Sequence, residues 1–87
     1  MNLYEVAEKA KKELSGVTGL PTNTVISISE DDAGGWKAEV EMIERRSVPD
    51  SADLLGIYEI SLDEKGKLLS FRRKRTRKRA DTETEEE

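Results

Sequence analysis

A chain of 87 residues, 34% hydrophobic and 39% charged, can fill one thin core, so a single small domain is expected. It contains neither cysteine nor histidine, which excludes disulfides, thiol chemistry and the commonest general base. Its net charge of −4 hides three zones: an acidic body, seven basic residues between Arg72 and Arg79, and five acidic ones from Asp81 to Glu87.

Residues 2–15 carry Leu3, Val6, Ala7, Ala10 and Leu14 at helical spacing, with Glu8, Lys9, Lys11 and Lys12 turned mostly to water. Asn2 and Glu5 are spaced as a capping box, and Ser15-Gly16 supplies a stop. After a connector broken by Gly19 and Pro21, the alternation of Thr24, Ile26 and Ile28 predicts a strand. The turn Glu30 to Gly35 leads into a second strand, with Trp36, Ala38, Val40 and Met42 inward and Lys37, Glu39 and Glu41 outward. A third strand faces Tyr58, Ile60 and Leu62 inward. The loop Asp63-Glu64-Lys65-Gly66 then returns the chain to a fourth, with Leu69, Phe71 and Arg73 expected inward.

The fold class expected is α+β: an N-terminal amphipathic helix packed on an antiparallel sheet of about four strands, arranged as two hairpins. One domain is expected over residues 1–75, followed by a charged, disordered tail over 76–87. The opening Met1-Asn2-Leu3-Tyr4-Glu5 lacks the basic and apolar regions of a secretory signal. No apolar run approaches the roughly 20 residues of a membrane span. A cytoplasmic protein without a membrane partner is therefore expected. The thin core leaves self-association open as a way to bury more surface.

Catalysis has little to work with. Glu39 and Glu41 share one strand face, with Glu59 across the sheet, a spacing at which carboxylates can hold a divalent cation. A solvated charged face with Lys37 beside it accounts for the same residues, so no metal, no cofactor and no enzyme activity are expected. Between the hairpins, Pro49 fixes its own φ, pushes Val48 to an extended conformation and removes a backbone donor. Asp50 can then cap a single helical turn, with Asp53 at its third position. A rigid crossover with Arg45 and Arg46 paired to these aspartates is one reading, and a binding surface is the other. Trp36 and Tyr58 are read as core, the Tyr58 hydroxyl needing a partner. The run from Arg72 to Arg79 could bind a phosphate backbone, though no aromatic is interleaved to stack bases.

The order Gly35-Trp36-Lys37-Ala38-Glu39-Val40-Glu41, then Arg45-Arg46-Ser47-Val48-Pro49-Asp50-Ser51-Ala52-Asp53-Leu54-Leu55-Gly56-Ile57-Tyr58-Glu59-Ile60, closely resembles the gas vesicle protein O family. The likeness continues through Leu62 to Leu68 and Ser70-Phe71-Arg72-Arg73, about half the chain. Thr76 and Arg77 depart from it, standing where the family usually carries an Arg-Tyr pair. The resemblance implies a non-enzymatic accessory protein of gas vesicle formation, in contact with shell or other accessory proteins during nucleation or assembly. Its partner-binding residues are expected among Arg45, Arg46, Pro49, Asp50, Asp53, Tyr58, Glu59, Arg72, Arg73 and Arg75. Two alternatives stand beside it. One is a nucleic-acid-binding regulator using residues 72–79. The other is a peptide-binding or inhibitory module, since the helix-then-meander order is similar in outline to cystatin-like and PepSY-type domains.

Overall fold

A computed structural model of the chain describes residues 1–81. Helix α1 (Leu3–Thr18) crosses one face of a four-stranded antiparallel meander: β1 (Thr22–Glu30), β2 (Trp36–Arg45), β3 (Leu54–Leu62) and β4 (Leu68–Lys78). Single 3-10 turns follow β2 (Asp50–Ala52) and β4 (Arg79–Asp81). The α+β class and the two-hairpin plan are those read from the sequence.

The capping box forms as expected: Glu5 N–H donates to Asn2 Oδ1 at 2.8 Å and Asn2 N–H to Glu5 Oε1 at 3.0 Å. The helix runs past Ser15-Gly16, however, and ends at Gly19, whose φ of 77° is the left-handed conformation open to glycine. A glycine inside a helix costs only about 1 kcal/mol, and the extra turn gains bonds from Thr18 Oγ1 to Leu14 O and Gly19 N–H to Ser15 O, both 2.8 Å. Val6, Ala10 and Leu14 are fully buried, while Leu3, on the same stripe, stays 58% exposed.

Trp36, Ala38, Val40 and Met42 from β2 meet Tyr58, Ile60 and Leu62 from β3 beneath this stripe. β1 departs from the expected alternation. Its register against β2 shifts between Thr22 and Thr24 and between Val25 and Ser27, so Val25 and Ile28 pair with Val40 and Ala38 and pack on the core. Thr24 lies opposite Glu41, and Ile26, in the second bulge, is 46% exposed. A similar shift in β4 puts Leu68 opposite Leu62 and leaves Leu69 out at 64% exposure, correcting its inward assignment. Phe71 lies opposite Ile60 and packs its ring 6.4 Å from that of Tyr58. β4 continues through Lys78, so a boundary at residue 75 falls inside a strand. The tail expected to be disordered lies, from residue 82 on, outside the described residues.

The sheet face away from α1 is built differently. Ile43, Leu55 and Ile57 form a small apolar floor there, each at most 6% exposed. Glu41 lies opposite Ile57, and Glu39 opposite Glu59. Arg77 and Arg75 cover this floor from β4, paired with Leu55 and Ile57 in the strand register.

Candidate functional site

The ten residues singled out in the sequence do not gather at one point. Arg45 ends β2, and Arg46, Pro49 and Asp50 are exposed on the crossover to β3. Tyr58 faces α1, Glu59 faces the opposite way, and Arg72, Arg73 and Arg75 lie along the edge strand β4.

Most of the basic run is engaged within the protein. Arg72 Nη2 lies 2.8 Å from Glu59 Oε1. Lys74, in a bulge of β4, reaches Glu39 Oε2 at 2.6 Å and Glu59 Oε2 at 3.6 Å, separating two carboxylates that stand directly opposite each other. The Glu39 carboxylate, and then Glu59, hold the Lys74 ammonium above its ordinary pKa. Arg77 grips the buried Glu41 through Nε and Nη2, at 2.9 and 2.8 Å, and Asn23 Nδ2 donates to the other oxygen of Glu41 at 2.9 Å. The carboxylates that could have held a divalent cation are thus occupied by ammonium and guanidinium groups.

On the helix side, Tyr58 Oη donates to Glu44 Oε2 at 2.6 Å, and Arg73 Nη1 lies 3.6 Å from Glu44 Oε1. Glu44 sits where the β2–β3 register shifts, and its side chain lies over Gly56, where any Cβ would collide with the carboxylate. Burial, reinforced by the bond to Glu44, pushes the Tyr58 hydroxyl up to about 12.

The crossover is pinned by Asp53. Its Oδ1 accepts from Ser47 N–H at 2.7 Å, and its Oδ2 accepts from Arg79 Nη2 at 3.0 Å, while Arg79 N–H donates to the Asp53 carbonyl at 3.0 Å. The Ser47 N–H bond holds the Asp53 carboxyl below the usual carboxylate range, helped by Arg79 and more weakly by Arg46, while burial opposes them. The expected cap is therefore displaced. Pro49, not Asp50, occupies the cap position of the 3-10 turn, and it makes no side-chain bond there. Asp53 follows the turn and points inward at 1% exposure. Its cation is Arg79, from the far end of β4, rather than Arg45 or Arg46. Among the described residues Arg45, Arg46 and Arg75 form no ion pair. Val48, on the same crossover, is fully exposed.

Glu44 and Asn23 matter to this arrangement and were not singled out, and Arg77 and Arg79 were read only as part of the basic run. Arg77 carried one usable signal: residues two apart on a strand share a face, which puts it with Arg75 on β4, whereas Arg79 lies beyond the strand. Asn23 and Glu44 carried none, because bulges place them.

The described residues thus form a helix on an antiparallel meander whose basic and acidic side chains are largely paired with one another. The model of the family described as gas vesicle synthesis protein GvpO matches residues 1–83, and the chain belongs to that family. It is 37% identical over 70 residues to gas vesicle protein O of a Streptomyces species, covering 80% of this chain and 54% of that one. Against gas vesicle protein O of Haloferax mediterranei the identity is 40% over 47 residues, 54% of this chain and 34% of the relative. Gas vesicle protein O1 of Halobacterium salinarum is 42% identical over 43 residues, 49% of this chain and 36% of the relative. The chain thus spans between a third and just over half of the length of these relatives. No solved structure matches it.

Proposed function

We propose that this protein is a non-enzymatic accessory factor of gas vesicle formation, acting in the cytoplasm through contacts with shell or other accessory proteins during nucleation or assembly. Family membership supports the process. The observation that carries the mode of action is the internal pairing of the basic run: Arg72, Arg73, Lys74, Arg77 and Arg79 all face carboxylates of the sheet or the crossover. A phosphate backbone would have to compete for these cations, whereas the crossover offers Arg45, Arg46 and a bare Val48 on a pinned loop. No helix is long and apolar enough to cross a membrane among the described residues.

The test is a tagged pull-down from cells forming gas vesicles, with and without nuclease, read by mass spectrometry. Recovery of gas vesicle proteins in a nuclease-resistant complex is expected. Co-purified nucleic acid, with vesicle proteins lost after nuclease, would transfer the function to a nucleic-acid regulator.

A further inference from the structure

The crossover end of the sheet brings several cations and an exposed apolar side chain together on one loop and the strand row beside it. Arg45, Leu54 and Lys78 form one cross-strand row, the two cations flanking a half-buried leucine. Arg46 follows directly, and Val48 stands fully exposed two residues on. Neither Arg45, Arg46 nor Lys78 forms an ion pair among the described residues. The nearby carboxylates make their close contacts elsewhere, Glu44 with Tyr58 and Arg73 and Asp53 with Ser47 and Arg79, Arg46 acting on Asp53 only at a distance. Asp50 is the one acidic side chain exposed on the crossover.

The loop is also held in shape. Asp53 ties its start to Ser47, bonds from Ala52 N–H to Pro49 O and Asp53 N–H to Asp50 O close its turn, each at 3.0 Å, and Arg79 anchors it to the end of β4. A pre-shaped loop loses less conformational freedom on binding than a mobile one. Cations round an exposed apolar side chain complement a segment of opposite charge carrying an apolar side chain of its own.

We infer that Arg45, Arg46, Val48 and Lys78 form a docking surface for an acidic segment of a partner protein, anchored by an apolar side chain against Val48 and Leu54. This rests on the reading of the protein as a contact-making factor and names the chemistry of the contact. Arg45, Arg46 and Lys78 steer and orient the segment, and Val48 supplies an exposed apolar contact on the same loop.

The test uses the full chain and a fluorescein-labelled twelve-residue peptide of alternating glutamate and valine, with binding read by fluorescence anisotropy at low and at 0.5 M salt. Saturable, salt-sensitive binding is expected. The double variant Arg45→Glu with Arg46→Glu should weaken it at least tenfold, and Val48→Asp several-fold. Lys65→Glu, on the loop at the opposite end of the sheet, should leave it unchanged. Circular dichroism establishes that each variant is folded, and Lys78→Glu offers an independent second probe of the surface should either fail. Equal binding by folded wild-type and double-variant chains would overturn the assignment. So would preferential binding of a labelled single-stranded oligonucleotide through the same residues. Peptide binding seen only after Glu83, Glu85, Glu86 and Glu87 are changed to Gln would give the surface to the chain's own acidic tail and equally overturn it. Because peptide binding is read without any vesicle protein, its failure leaves the pull-down result standing, and the two readings fail separately.

Discussion

The two faces of the sheet are held by opposite means. Toward α1, Val6, Ala10 and Leu14 close on Trp36, Ala38, Val40, Met42, Ile60 and Leu62, a dry contact whose strength follows buried area. On the other face Ile43, Leu55 and Ile57 are the apolar residues buried among the described ones, and the lattice of Glu39, Glu41 and Glu59 with Arg72, Lys74 and Arg77 holds β4 across β3 to β2. Apolar packing is non-directional and is not screened by salt, whereas the charged lattice is directional and screened. A run of cations that composition assigns to an outside polyanion can thus be the fastening of an edge strand.

The comparison breaks most sharply on the dry face. Leu14→Ala should cost about 2–5 kcal/mol, a large part of the stability of so small a domain. Urea unfolding should show the same loss at 0.1 and 1 M salt. The buried part of the charged face comes next. Arg77→Met leaves Glu41, 3% exposed, with Asn23 as its remaining partner, and should cost about 1–3 kcal/mol. Adding Glu41→Leu should recover most of that loss, because the uncompensated buried charge is removed with it.

Tyr58→Phe should cost about 1 kcal/mol at neutral pH through the lost bond to Glu44. Its pH signature sharpens the contrast. The folded hydroxyl titrates near 12 rather than 10.0, so its contribution is complete below pH 10 and is lost as pH rises toward 12. The substitution removes that limb of the stability curve, together with the tyrosinate absorbance that grows in near pH 12. Smallest is the exposed rim. Arg72→Ala should cost about 0–1 kcal/mol, since Arg72 and Glu59 are 68% and 39% exposed, and 1 M salt should abolish even that difference.

What the sequence disclosed divides along the same line. Periodicity located the body of α1, β2 from Trp36 to Met42 and the inward face of β3, because a half-buried element must repeat its apolar residues at its own period. It failed at Ile26 and Leu69, where bulges shift the period by one residue, and at Gly16, where the gain from one more helical turn exceeded a weak local preference. The partners of the basic run were hidden for a related reason. Glu39, Glu41 and Glu59 could be placed on one face, but which cation reaches which depends on the register of β4 and on the bulge at Lys74. The crossover showed its proline and its charges. It did not show that Asp53 turns inward, since its counter-ion lies 26 residues further on.

That last pairing has a consequence for the newly made chain. The loop between β2 and β3 closes on bonds among its own residues, but its tie to the end of β4 comes from Arg79, through the Asp53 carboxylate and the Asp53 carbonyl. During translation, residues 45–53 therefore leave the ribosome well before their fastener does. That tie can form only once β4 has been synthesised and paired with β3.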